Sequence, residues 1–340
     1  MSDQSRRLQT AVEAVAAACV VCRSVQRDLA GIVSATKDDK SPVTIADFAS
    51  QAVIAQMLLE GLGQFTLVAE ESADMLRERS ASGDHDLVER VTAVASTVWP
   101  GAAPSDVLDA IDLGAGDPPA DSVRGFWTLD PVDGTKGFLR GQQYAVSLAY
   151  IENGTPIIGV LGCPNLSRNF SRPFDEPDDA GCLYVAERGG GLYELPGNEP
   201  RAHPVRIRRL IPRGSEPIRM CESAEAAHSD HGASKSVIEK LGESADPARL
   251  DSQAKYAVVA RGQADLYLRL PSKKGYIERI WDHAAGALCA SEAGCLVSDA
   301  RGKPLDFSCG RGLEKNSGIV VAPPALHANA IAAIAEVLGA

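Results

Sequence analysis

The stretch DPVDGTKGF, residues 130–138, follows the apolar run FWTL and sets two aspartates three apart beside a glycine and a threonine. Two physical readings compete. Asp, Pro and Gly punctuate turns, and Asp-Gly tolerates positive φ at low steric cost, so a tight turn accounts for the composition. Alternatively, a strand ending at Leu129 delivers Asp130 and Asp133 to one edge with the carbonyl of Val132 between them, a set of hard oxygen ligands that suits Mg²⁺. The choice rests on whether further carboxylates reach the same place.

Upstream, FTLVAEES is a short apolar strand that ends in Glu70 and Glu71. Before it, residues 8–30 and 46–62 carry Ala, Val, Leu and Met at spacings of three and four, the pattern of two helices joined by a loop or hairpin through TKDDKSPVTIAD. Asp47 then stands at the N-terminus of the second helix, where a carboxylate also serves as a cap or dipole partner. Residues 73–125 are acidic, with room for helices first and a surface loop at GAGDPPAD.

Downstream, YAVSLAYIENGTPIIGVLGCP reads as a hairpin turning at Asn-Gly, with further strands in CLYVAERGGGLYEL and HPVRIRRLI. GGG at 189–191 is a hairpin turn, because no phosphate-loop lysine follows it. The second half alternates helix and strand, and Asp282 in WDHAAG opens one of its helices. Asp47, Glu70, Asp130, Asp133 and Asp282 all fall at element ends. Gathered together they form one anionic pocket that repels itself unless cations enter.

Bulk properties narrow the class. With 340 residues, 45% of them hydrophobic and 23% charged, the chain suits a soluble α+β protein of two subdomains, expected at 1–158 and 159–340. Its net charge of −11 argues against a nucleic-acid polymer as partner. No long uncharged apolar run is present, so no membrane partner is expected, and the Ala/Val-rich start, interrupted by Glu13, reads as a first helix instead of a signal peptide. The eight dispersed cysteines fit buried thiols in a reducing compartment, the cytoplasm or an organelle. Cys19 and Cys22 lack a second pair and read as helix packing.

EES, DPVDGT and WDHAAG, in this order, resemble the lithium-sensitive, Mg²⁺-dependent phosphatase superfamily that includes the inositol monophosphatases, over residues 37–310. KDDKSPVTIADFASQA, the long passage before DPVDGTKGFLRG, AHSDH, LDSQAKY, YLRLP and IWDHAAG are most similar to its 3′(2′),5′-bisphosphate nucleotidase branch. The resemblance implies a layered α/β/α/β/α sandwich and two or three Mg²⁺ ions held by Glu70, Asp130, the Val132 carbonyl, Asp133 and Asp282. It also implies Asp47 and Thr135 as the pair that activates water, inhibition by Li⁺, and action on a small nucleotide; the chain is expected to be a monomer. Gly134 and Thr135 offer backbone N–H groups to phosphate. His228, Ser252, Lys255 and Arg269 match the positions that hold the nucleoside 5′-phosphate and base, with His231 the other candidate in that loop. If LDSQAKY opens a helix, Ser252 and Lys255 share one face of it, and Arg269 can fork onto the phosphate. The implied reaction removes the 3′-phosphate of 3′-phosphoadenosine 5′-phosphate, with 3′-phosphoadenosine 5′-phosphosulfate as a second substrate. Inositol polyphosphate 1-phosphatase activity and a non-catalytic nucleotide sensor are the alternatives.

Overall fold

A computed structural model of the protein describes residues 2–31, 41–119, 125–174, 176–208, 217–225, 229–242, 247–271 and 275–339, with residues 29–31 and 41–44 by backbone only. The first part of the chain gives α1 (Asp3–Gly31), α2 (Ser41–Leu62), β1 (Leu67–Ala69), α3 (Asp74–Ala81), α4 (Asp86–Ala95) and α5 (Pro104–Asp112). There follow β2 (Phe126–Asp133), α6 (Thr135–Leu139), β3 (Ala145–Glu152), β4 (Thr155–Cys163), β5 (Cys182–Glu187), β6 (Gly191–Pro196) and β7 (Val205–Arg206). The last part gives β8 (Met220–Glu222), α7 (His231–Lys240), β9 (Ala248–Arg249), α8 (Ala254–Ala260), β10 (Leu266–Arg269), α9 (Ala284–Glu292), β11 (Leu296–Ser298), β12 (Ile319–Ala322) and α10 (Pro324–Leu338).

Strands β1 to β7 form one sheet in chain order, and β11-β12-β10-β8-β9 form a second. Alternation along each strand builds the layers, because successive side chains leave opposite faces. In β3, Val146, Leu148 and Tyr150 pack with α1 and α2, whereas Ala145, Ala149 and Ile151 face α8 and α9. The small residues on that second face let α9 lie close over β3 to β5. Beyond α8 and α9 comes the second sheet, whose outer face packs Leu266, Leu268 and Val320 against Val237 of α7 and Ala330 and Ile334 of α10. Each fully buried Val or Leu in these layers contributes roughly 1.5–3 kcal/mol. The expected α/β/α/β/α sandwich is therefore present.

Two expectations change. A division at 158/159 would cut β4, an interior strand of the first sheet; the two sheets part the chain between β7 and β8 instead. The second helix starts at Ser41, not near 46, so Asp47 lies in its second turn and caps nothing. Other readings stand: Asn153 (φ 51°) and Gly154 (φ 67°) make the hairpin turn between β3 and β4, where two positive φ angles match the strand twist. The GGG turn joins β5 to β6, and the anion that its N–H groups receive is the protein's own Glu292, which accepts from Gly189 and Gly191 at 2.8 Å each. All eight cysteines are free thiols, seven of them buried. Helix α1 is long and apolar enough to span a membrane, yet Ala11, Ala14, Val15, Ala18, Val21 and Cys22 are buried in the first core.

Candidate active site

The spacing of Asp130 and Asp133 is resolved by a bulge. In a regular strand, residues three apart point to opposite faces. Here β2 continues through Asp133, with Asp130 opposite Ser147 and Asp133 opposite Ala145, so two residues of β2 face one of β3. The extra residue turns both carboxylates to the same side. Val132 N donates to Asp130 Oδ1 at 3.1 Å, and Ser50 Oγ donates to the Pro131 carbonyl at 3.1 Å, which pins the bulge to α2. The strand thus does not end at Leu129 as its sequence suggested. Gly134 follows at φ 90°, and a Cβ there would lie 2.9 Å from Ser252 Cβ, so both conformation and space demand glycine. Thr135 then opens α6, exposed at the edge of the same cleft.

Four of the predicted carboxylates line this cleft of about 910 Å³: Glu70 from the end of β1, Asp130, Asp133 and Asp282. Asp47 lies beneath it, buried, beside Glu70 and Glu71. Their electrostatics are those of a cluster with less counter-charge than its carboxylates need. Burial, then Glu70, Asp133, Asp282 and Asp47 in turn, push the Asp130 carboxyl well above the usual range. Burial and Glu71 raise Glu70 to about 7. Burial also raises Asp47 and Asp282. Asp133 is raised by burial against the pull of Lys255 and of Gln253 N, which donates to its Oδ2 at 2.5 Å. Mutually repelling buried carboxylates fit hard divalent cations by donor type and by charge.

The opposite wall comes from the second half of the chain. Ser252 sits at φ 72° before α8, which begins at Ala254, so Ser252 and Lys255 do not share a helix face as predicted. Ser252 Oγ accepts from Ala254 N at 3.1 Å. Lys255 is buried, donates to the Leu250 carbonyl at 3.1 Å and lies 5.5 Å from the Tyr267 ring centroid. Arg269 lines the cleft, but its fork is occupied: Nε and Nη2 meet Glu278 at 2.8 and 2.7 Å. His228 lies outside the described residues. His231 is turned to the end of β8, 2.9 Å from the Ser223 carbonyl, and does not line the cleft.

A sequence model of the inositol monophosphatase family matches residues 3–338. The chain belongs to the inositol monophosphatase family. It is 40% identical to the 3′(2′),5′-bisphosphate nucleotidase of Schizosaccharomyces pombe over 97% of this chain and 95% of that one. It is 41% identical to the 3′(2′),5′-bisphosphate nucleotidase 1 of Arabidopsis thaliana over 93% and 92%. Among solved structures, the inositol monophosphatase of Anabaena matches with a TM-score of 0.62 at 20% identity, covering 98% of this chain and 97% of that one. CysQ of Bacteroides thetaiotaomicron matches with 0.59 at 20% identity over 93% and 97%.

Several residues that build this inositol monophosphatase-family cleft escaped the sequence reading. Gln51, fully buried, clamps the Glu70-Glu71 corner by donating to the Glu71 carbonyl at 2.8 Å and accepting from its N–H at 3.2 Å. Gln253 stitches the halves together: besides its N–H on Asp133, its Nε2 donates to the Trp281 carbonyl at 2.7 Å and its Oε1 accepts from Gly286 N at 3.0 Å. His283 stands between Tyr256 and Glu278, at 2.8 and 3.2 Å, behind Asp282. Lys136 and Arg140 both reach Glu225, and Arg140 also pairs with Asp251, closing one end of the cleft. A glutamine carries no motif signal, and these pairs form only across distant segments. No hydrogen bond joins Asp47 to Thr135 among the described residues.

Proposed function

We propose that the protein is a Mg²⁺-dependent 3′(2′),5′-bisphosphate nucleotidase that hydrolyses 3′-phosphoadenosine 5′-phosphate to AMP and inorganic phosphate. The observation that carries this reading is the convergence of Glu70, Asp130, Asp133 and Asp282 on one cleft whose other wall bears Ser252, Lys255 and Arg269. Relatives about 40% identical over nearly the whole chain, and named for this activity, support it. Glu70, Asp130, the Val132 carbonyl, Asp133 and Asp282 would hold two or three Mg²⁺ ions. Divalent cations, when bound, supply Lewis-acid charge beside the phosphoryl group and make water more acidic.

The chain's own groups do the rest. Thr135, exposed at the start of α6, orients the attacking water, and Asp47, made more basic by burial, accepts its proton. The water oxygen bonds to phosphorus as the bond to the 3′-oxygen breaks, and that oxygen takes a proton from solvent and leaves as the ribose hydroxyl, while Asp47 later returns its proton to solvent. Gly134 and Thr135 present backbone N–H groups to the phosphate. Lys255 and Ser252 stand near the phosphate that stays, with Arg269 held in place by Glu278. 3′-Phosphoadenosine 5′-phosphosulfate, with the same 3′-phosphate, is the second substrate.

Phosphate release from 3′-phosphoadenosine 5′-phosphate, AMP and an inositol bisphosphate, each with and without Mg²⁺ and with Li⁺ added, tests this reading. Release is expected from the first, with Mg²⁺ required and Li⁺ inhibitory. No release from it at any Mg²⁺ level sinks the reading, and faster release from the inositol bisphosphate replaces it with inositol polyphosphate 1-phosphatase activity.

A further inference from the structure

Five cations line the cleft among the described residues: Lys136, Lys255, Arg269, Arg279 and Arg311. Four are engaged. Lys136 Nζ lies 2.5 Å from Glu225 Oε2, Lys255 bonds the Leu250 carbonyl, and Arg269 is forked by Glu278. Arg311 donates to the Gly116 carbonyl at 3.0 Å and to the Ala69 carbonyl at 2.6 Å, on the wall that carries Glu70. Arg279 has neither a hydrogen-bond nor an ion-pair partner for its guanidinium among the described residues.

Arg279 is nevertheless a fixed feature. It bridges to Gly312 in antiparallel fashion, and on either side Ile280 N donates to the Arg311 carbonyl at 3.2 Å and Leu313 N to the Glu278 carbonyl at 2.8 Å. Its guanidinium carbon lies 5.8 Å from the Trp281 ring centroid, and that of Arg311 lies 4.9 Å from the same ring. Two guanidinium groups therefore share one indole. Like charges at this range repel; Arg311 has carbonyl dipoles to offset the cost, whereas Arg279 has only the longer-range pull of the Glu70 carboxylate. An oxyanion within hydrogen-bond reach is the partner that Arg279 lacks among the described residues.

We infer that Arg279 is a substrate-binding residue whose guanidinium, in the cleft beside Trp281, receives phosphate oxygens of the substrate. This deepens the bisphosphate reading and rests on it for the identity of the substrate. Arg suits the role because its planar fork meets phosphate with two parallel N–H bonds and stacks on an aromatic face.

The test uses the Mg²⁺-loaded full chain, wild type against Arg279→Gln and Arg279→Lys, with calorimetric binding of AMP and inorganic phosphate and steady-state hydrolysis of 3′-phosphoadenosine 5′-phosphate. Loss of a charge-assisted contact should weaken AMP binding about ten- to hundredfold in Arg279→Gln, with partial recovery in Arg279→Lys. KM for the bisphosphate should rise by a similar factor while kcat stays within about twofold, and the Mg²⁺ concentration for half activation should not increase. A merely structural arginine would lower kcat and thermal stability together. AMP affinity within about twofold of wild type in Arg279→Gln overturns the inference, whatever the turnover. If wild type fails to hydrolyse the bisphosphate while Arg279→Gln still loses AMP and phosphate binding, the anion-binding role stands and the proposed reaction falls.

Discussion

Asp130 and Glu278 are equally hidden, at 3% and 6% exposure, and respond in opposite ways. Around Asp130 every neighbouring group that matters is another carboxylate, and its acidity is lost. Burial works on Glu278 too, but His283 and the forked Arg269 overcome it and hold the group down at about 2. Solvent access therefore does not separate them. What differs is how much counter-charge the chain supplies. Glu278 is gripped by the forked Arg269 and by His283, whereas in the Asp130 cluster the pull of Arg279 on Glu70 and of Lys255 on Asp133 does not overcome burial and mutual repulsion, which is why that cluster is the candidate metal centre.

Exchange of one carboxylate at each place should break or sharpen this contrast. Asp130→Asn should cost about a thousandfold in kcat/KM, with little recovery in excess Mg²⁺, because it removes a charge that bound cations need. The metal-free variant should meanwhile be more stable than wild type, since one member of a repelling cluster has gone. Near-normal turnover in the folded variant would end the site assignment. Glu278→Ala should act in the other direction on stability, lowering it by roughly 3 kcal/mol in a urea melt of metal-free protein, because Arg269 is left buried without its partner. A neutral result there would mean that the fork is incidental.

The same contrast has a pH signature. Glu70 rises from 4.5 to about 7 on folding, so its contribution to stability is complete below about pH 4.5 and is lost as pH climbs through about 7. Glu278 falls from 4.5 to about 2, so its contribution is complete above about pH 4.5 and is lost as pH drops toward 2. Chelated protein should therefore show its highest Tm near pH 5, and Mg²⁺ should raise Tm at pH 8 much more than at pH 5. A Tm that is flat from pH 5 to 8 without metal would show that the carboxylates do not repel. The smallest effect belongs to Lys136→Ala at the exposed end of the Glu225 contact, where the lysine side chain is 58% exposed: under about 1 kcal/mol in stability.

Much of this was legible in the sequence, and the gaps have physical causes. Element ends next to turn residues identified Glu70, Asp130, Asp133 and Asp282, because strand and helix termini leave local signals. The bulge was not legible, since it exists only as a mismatch of β2 against β3. Helix α2 was entered late because Ser41-Pro42, a start signal, was assigned to the loop before it. Three helices in residues 74–112 were foreseen only as possible, in a segment whose charge masked its apolar faces. Glu278 and Arg279 gave no signal at all: they are adjacent charged residues in YIERI, and nothing local says that one will be tied to Arg269 while the other faces the cleft.

Gln253 carries a consequence for how the molecule comes into being. The seven-stranded sheet is complete at Arg206, but Gln253, Trp281 and Asp282 follow much later in the chain. During synthesis Asp130 and Asp133 exist on a finished strand before the segment that roofs them has left the ribosome. The docking of that segment, through Gln253 to Asp133 and Trp281, is the event that encloses the two aspartates. A fragment ending before residue 253 keeps the DPVDGT motif but lacks Gln253, Trp281 and Asp282, the wall that closes over it.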